Sequence, residues 1–83
     1  MKYSYPAIMA IDKDSPDLIN IKIPDIWGAE AFGDSEEQAI EKAKSLLTEM
    51  ILIQPHLCGT PHTYEQAVEA FPTKKVVMIE VEL

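Results

Sequence analysis

The chain has 83 residues, 47% of them apolar, which suits one globular domain and is too many for a disordered segment. Seven lysines, no arginine and 14 acidic residues give a net charge of −7. That balance speaks against direct nucleic-acid binding, which needs a basic stripe and reads bases chiefly with Arg, and it favours a basic partner instead.

Residues Lys2 to Ile11 are rich in Tyr, Ile, Met and Ala and read as a strand. Pro6 has no N–H to give, so its position belongs at an edge or a bulge. Asp12 to Asp17 (DKDSPD) is a turn by composition. LINIKI follows from Leu18, with Ile19, Ile21 and Ile23 on one face and Asn20 and Lys22 on the other, the alternation of a half-buried strand. PDIWG is the next turn, and Ala29 to Gly33 (AEAFG) is a short third strand.

Ser35 then stands as a helix N-cap, with Gln38 three residues on, as in a capping box. Asp34, Glu36 and Glu37 lie where the positive end of a helix dipole favours carboxylates. Ala39, Ile40, Ala43, Leu46, Leu47, Met50 and Ile51 recur at helical spacing. The helix should stop near Gln54, because Pro55 disfavours helical geometry in the residue before it. Pro55 to His62 is a loop, and Thr63 with Gln66 repeats the capping-box spacing for a short helix through about Phe71. Lys74 to Leu83 is a last strand with Val77, Ile79, Val81 and Leu83 on one face. The expected fold is α+β, an antiparallel β-β-β-α-(short α)-β two-layer sandwich with the long helix on one face of the sheet.

The lone Cys58 permits no internal disulfide, which fits a reducing compartment. The N-terminal MKYSYPAIMAI has no long apolar region of a secretion signal, and no apolar run approaches the roughly 20 residues of a membrane helix. A cytoplasmic protein without membrane contact is expected.

Candidate catalytic groups find simpler explanations. Asp12, Asp14, Asp17, Asp25, Glu30 and Asp34 would have to converge from neighbouring strands to hold two metal ions, yet only Glu30 is mid-strand and the others sit in turns or at a helix start. His56, Cys58 and His62 form an H-x-C-x3-H spacing, but a structural zinc site takes four ligands and no second Cys or third His is present. A Cys58–His pair has no identifiable orienting group. Gly28, Gly33 and Gly59 are too far apart for a phosphate-binding loop, and no cofactor is expected. Trp27, in a turn, reads either as a plug under the sheet edge or as an interface anchor, since Trp is enriched in binding hot spots. Tyr3, Tyr5 and Phe32 read most simply as core or sheet-face residues. An interaction module is therefore expected rather than an enzyme.

The pattern also resembles a known family. YPAI at Tyr5 to Ile8 and IPDIWGAEAFGDSEEQAIEKAKSLL at Ile23 to Leu47 resemble the HicB antitoxin family. There a second strand runs into a Pro-Asp turn with a following glycine, and a short strand leads through Gly-Asp-Ser/Thr into a Glu- and Ala-rich helix. Here these are Pro24, Asp25, Gly28, Gly33 to Ser35, Glu37, Ala39 and Ala43. KKVVMIEVEL resembles the strand that closes the family's N-terminal domain, and the match is weakest between His56 and Phe71. The resemblance implies a partial ribonuclease-H-like fold without catalytic carboxylates. It also implies a type II antitoxin that occludes a small basic RNA-cleaving toxin of the HicA kind. Asp25 and Glu30 would then pair with toxin Lys or Arg, and Trp27 and Phe32 would anchor the partner or plug the core. Residues 1–83 are expected to form a single domain, without the C-terminal DNA-binding domain that many family members carry. A homo-oligomer, joined through the last strand or the Pro6 edge, is expected. The competing readings are an orphan oligomeric binding module of the same fold with another partner, and a degenerate metal-dependent nuclease.

Overall fold

The computed structural model describes residues 1–11, 14 and 17–83. The expected turn at Asp12 to Asp17 includes positions 12, 13, 15 and 16, which lie outside the described residues. Strands β1 (Lys2–Ile11), β2 (Ile19–Lys22), β3 (Glu30–Gly33) and β4 (Lys75–Glu82) form one antiparallel sheet in the order β3-β2-β1-β4. Helix α1 (Glu36–Ile53) follows β3, and a 3-10 turn (Pro55–Leu57) leads to α2 (Tyr64–Ala70). This is the α+β order expected from the sequence.

The register assigns every side chain to a face, because directly opposed residues point the same way. One face carries Tyr5, Ala7 and Met9 of β1 opposite Ile79, Val77 and Lys75 of β4, with Ile21 of β2 opposite Met9. Helix α1 lies on this face. Its stripe of Ala39, Ala43 and Leu47, spaced four apart, is fully buried against the main core. The small alanines let the helix approach closely. At Gly33 a Cβ would collide with the backbone of Gln38 and Ala39, so that glycine is needed where β3 passes under α1.

The opposite face carries Pro6, Ile8, Asn20, Lys22, Glu30, Phe32, Val76 and Met78 by the same register. Helix α2 packs against β1 and β4 there. Ala67 and Val76 are buried but lie outside the main core cluster. The second helix thus adds a partial cover on the reverse of the sheet, which explains why Val76 is buried although it alternates with the core row. Among the described residues no helix lies on the rest of that face, over β2 and β3.

Pro6 shows why its position counts as a local edge. Met1 and Leu83 exchange both backbone hydrogen bonds, so bonded pairs fall at every second position and include Tyr5 with Ile79. Pro6 opposite Met78 is a non-bonded pair, and its nitrogen faces the β2 side. There β2 pairs with β1 only from Ile8 onward, so no ladder donor is lost.

Ser35 accepts from the Gln38 N–H at 3.1 Å. The Gln38 side chain accepts from Asp34 N–H at 2.6 Å rather than from Ser35, so the expected capping box is displaced by one residue. The box at α2 is complete: Thr63 Oγ1 accepts from Gln66 N–H, and Gln66 Oε1 accepts from Thr63 N–H.

A candidate protein-binding corner

The four residues expected to meet a partner sit at or beside the β2–β3 connection. Its geometry follows from two closures. Ile26 N–H donates to Ile23 C=O at 3.1 Å, and Ala29 N–H donates to Ile26 C=O at 3.2 Å. Within the second turn Gly28 has φ +77°, the left-handed conformation a turn requires of its third residue and that Gly adopts freely. Ile26 is 2% exposed and bridges to Cys58. Trp27, the next residue, stands at the tip of the turn and is 80% exposed. This corrects the plug reading of Trp27. Ile26 fills the core below the turn, and consecutive residues there must point apart.

Glu30 and Phe32 lie on the reverse face of β3, two residues apart. Phe32 is 39% exposed, so it is a sheet-face residue and not part of the core; Ala31 between them is the buried one. Glu30 Oε1 accepts from Asn20 Nδ2 at 2.7 Å, and Lys22 is its cross-strand neighbour. Trp27, Glu30 and Lys22 line one shallow surface cleft. The fold thus gathers an aromatic tip, a second aromatic and a carboxylate along one uncovered margin of the sheet.

Asp25 has a different position. Its side chain is 9% exposed and grips His62 twice: Oδ2 accepts from the His62 N–H at 3.0 Å, and Oδ1 lies 2.5 Å from His62 Nδ1. An ionised carboxylate only accepts, so Nδ1 is the protonated ring nitrogen in this pair. Asp25 C=O also accepts from Gly59 N–H at 2.9 Å. Tyr5 completes the clamp, its hydroxyl donating to Gly59 C=O at 2.8 Å. Asp25 therefore fastens the 59–62 loop to the β2–β3 connection. His62, considered above only as a metal ligand, is the missed member of this arrangement. Its distance of 37 residues from Asp25 leaves no local signal in the sequence.

Two groups near the clamp are shifted. Burial first, then the neighbouring Cys58, Asp25 and Tyr3, hold the Tyr5 hydroxyl above its ordinary 10.0. Burial pushes the Cys58 thiol up, and the residue is only partly exposed. An upward shift leaves the thiol protonated, the form with little nucleophilic or ligand character. Among the described residues no three His, Cys, Asp or Glu side chains come together to hold a metal ion. Nor is any described helix long and apolar enough to cross a membrane.

No protein-family model matches the sequence, and no curated protein matches it. Solved structures do. The crystal structure of the N-terminal domain of the Burkholderia pseudomallei antitoxin HicB superposes with a TM-score of 0.79, covering 98% of this chain and 100% of that one at 18% identity. The fold is that of a HicB N-terminal domain. The crystal structure of the whole B. pseudomallei HicB antitoxin gives the same TM-score at 20% identity. This chain spans 64% of that longer HicB chain. The resemblance read in the sequence is thus met by the three-dimensional structure, including the region from His56 to Phe71 where it is weakest.

Proposed function

We propose that this protein is a HicB-like antitoxin that binds and occludes a small, basic, RNA-cleaving toxin of the HicA kind. The observation that carries this reading is the likeness to the HicB N-terminal domain over 98% of the chain. The net charge of −7 supports it, since complementary potentials steer encounter with a cationic partner. The docking surface is the corner built by Trp27, Glu30 and Phe32. An exposed Trp at the turn tip and an exposed Phe on the adjoining strand have the composition of a binding hot spot, and Glu30 supplies a carboxylate for a toxin Lys or Arg. Asp25 contributes by holding the corner in shape. In this reading the chain is a single protein-binding domain in the cytoplasm, has no catalytic role and does not itself bind operator DNA.

The test is RNA cleavage by a purified HicA-type toxin encoded beside the gene, with this protein titrated in. Stoichiometric inhibition is expected, weakened by high salt and by Glu30→Lys and strongly reduced by Trp27→Ala. No complex and no inhibition overturns the antitoxin reading. Inhibition that ignores all three changes keeps it but moves the surface elsewhere.

A further inference from the structure

Residues 59–71 are fastened to the molecule differently from the rest of the chain. All four strands and helix α1 place side chains in the main core cluster, and Cys58 packs against it. Among the described residues no hydrophobic side chain from Gly59 to Phe71 does either. Helix α2 buries only Ala67, while Tyr64 and Val68 are 47% and 39% exposed. A cleft of about 300 Å³ opens between Pro6 and Pro24 on one side and Ala67, Ala70 and Phe71 on the other.

The attachment is polar and lies at one end of the segment. Gly59 exchanges bonds with the Asp25 carbonyl and the Tyr5 hydroxyl, and His62 is held by the Asp25 carboxylate. The N–H groups of Thr63, Gln66, Ala67 and Phe71 are bonded within the segment. A Cβ at Gly59 would lie 2.8 Å from the Asp25 carbonyl oxygen, so a glycine is needed for this approach. At the far end Phe71 leaves the helix with φ −127° and ψ 65°, ahead of Pro72. We infer that residues 59–71 form a flap that opens as one unit off the reverse face, with the Asp25 carboxylate as its latch, and that its closure hides an apolar patch of Pro6, Ile8, Val76 and Met78. These four share the reverse face by register. Pro6 and Val76 are buried, and Ile8 and Met78 are half-buried. Opening melts α2, because seven residues do not hold a helix without a surface to pack on. The flap is thus an autoinhibitory cover, with α2 occupying the part of the reverse face that lies beyond the open β2–β3 margin. The inference does not rest on the antitoxin reading, since every measurement below is made on this protein alone.

Residue-by-residue amide hydrogen exchange of the full chain tests it. In the wild type Ala67 and Phe71 should exchange through an opening that leaves Leu47 in α1 protected. Asp25→Ala removes both bonds to His62 and should speed exchange at Ala67 and Phe71 about tenfold. His62→Ala removes the ring bond alone and should give a smaller increase. Ile79→Val trims the sealed core under α1, which stays folded when the flap opens, so it should leave Ala67 and Phe71 unchanged. The hidden patch is read by thiol labelling of Val76→Cys in a Cys58→Ser background, which should react about tenfold faster when Asp25→Ala is added. Exchange at Ala67 and Phe71 as slow as at Leu47, or sped equally by Ile79→Val and Asp25→Ala, overturns the flap. Labelling indifferent to Asp25→Ala overturns the hidden patch. If Asp25→Ala does not fold, His62→Ala decides alone, and unchanged exchange in that variant overturns the latch.

Discussion

The two faces of the sheet differ in make-up and in cover: the α1 side carries an almost unbroken set of apolar residues, and the reverse mixes Pro6, Ile8, Phe32, Val76 and Met78 with Asn20, Lys22, Glu30, Glu80 and Glu82. Under α1 the row of Ala7, Ile21, Ile79 and Leu47 is sealed, each 0% exposed. On the reverse, α2 seals only the neighbourhood of Pro6 and Val76, and Phe32 stays 39% exposed. One long amphipathic helix closes a face because it spans the strands. A helix of seven residues cannot. The difference divides the molecule into a front that the protein itself occupies and a β2–β3 margin on the reverse that the described residues leave uncovered, which is where the proposed docking surface lies.

Substitutions can break that division. The largest effect is expected on the front, where Leu47→Ala should cost about 2–5 kcal/mol in a denaturant titration, the usual range for emptying a fully buried leucine site. A loss below about 1 kcal/mol would mean that α1 is not the main seal. A smaller effect is expected at the clamp that joins the two regions. Tyr5→Phe removes the bond to Gly59 and should cost about 1 kcal/mol at neutral pH. The wild type should also lose stability at alkaline pH. Burial raises the folded Tyr5 above 10.0, so its contribution is complete below that value and disappears as pH climbs through the raised one. Tyr5→Phe should flatten this alkaline decline, and a parallel decline in both proteins would remove Tyr5 as its cause. The smallest effect belongs to the open margin: Trp27→Ala and Phe32→Ala should each change folding stability by no more than about 0.5 kcal/mol. Should Trp27→Ala destabilise by much more, the turn tip is packed in solution and the contrast between the faces is blurred.

Much of the fold was legible because it is written in local periodicity. The alternation at Ile19, Ile21 and Ile23, the spacing of Ala39, Ala43 and Leu47, and the caps at Ser35 and Thr63 all act within a few residues. The candidate site was less legible. Trp27, Glu30 and Phe32 fall within one short stretch, so their proximity follows from the chain, but whether Trp27 is buried does not. Two adjacent residues in a turn compete for the core, and Ile26 takes that place within the main cluster, bridged by Cys58 from 32 positions later in the chain.

By itself the sequence determined the element order, the face of α1 that is buried, the acidic surface and the absence of an arginine stripe, because propensity, capping and charge are properties of short segments. It also held the pattern that resembles HicB. Only the tertiary structure decided that α2 closes part of the reverse face, that Asp25 fastens His62 and Gly59, that Trp27 stands clear of the core, and that β4 is left as the long open edge. Each of these depends on segments far apart in the chain meeting in space, and no local pattern records such a meeting.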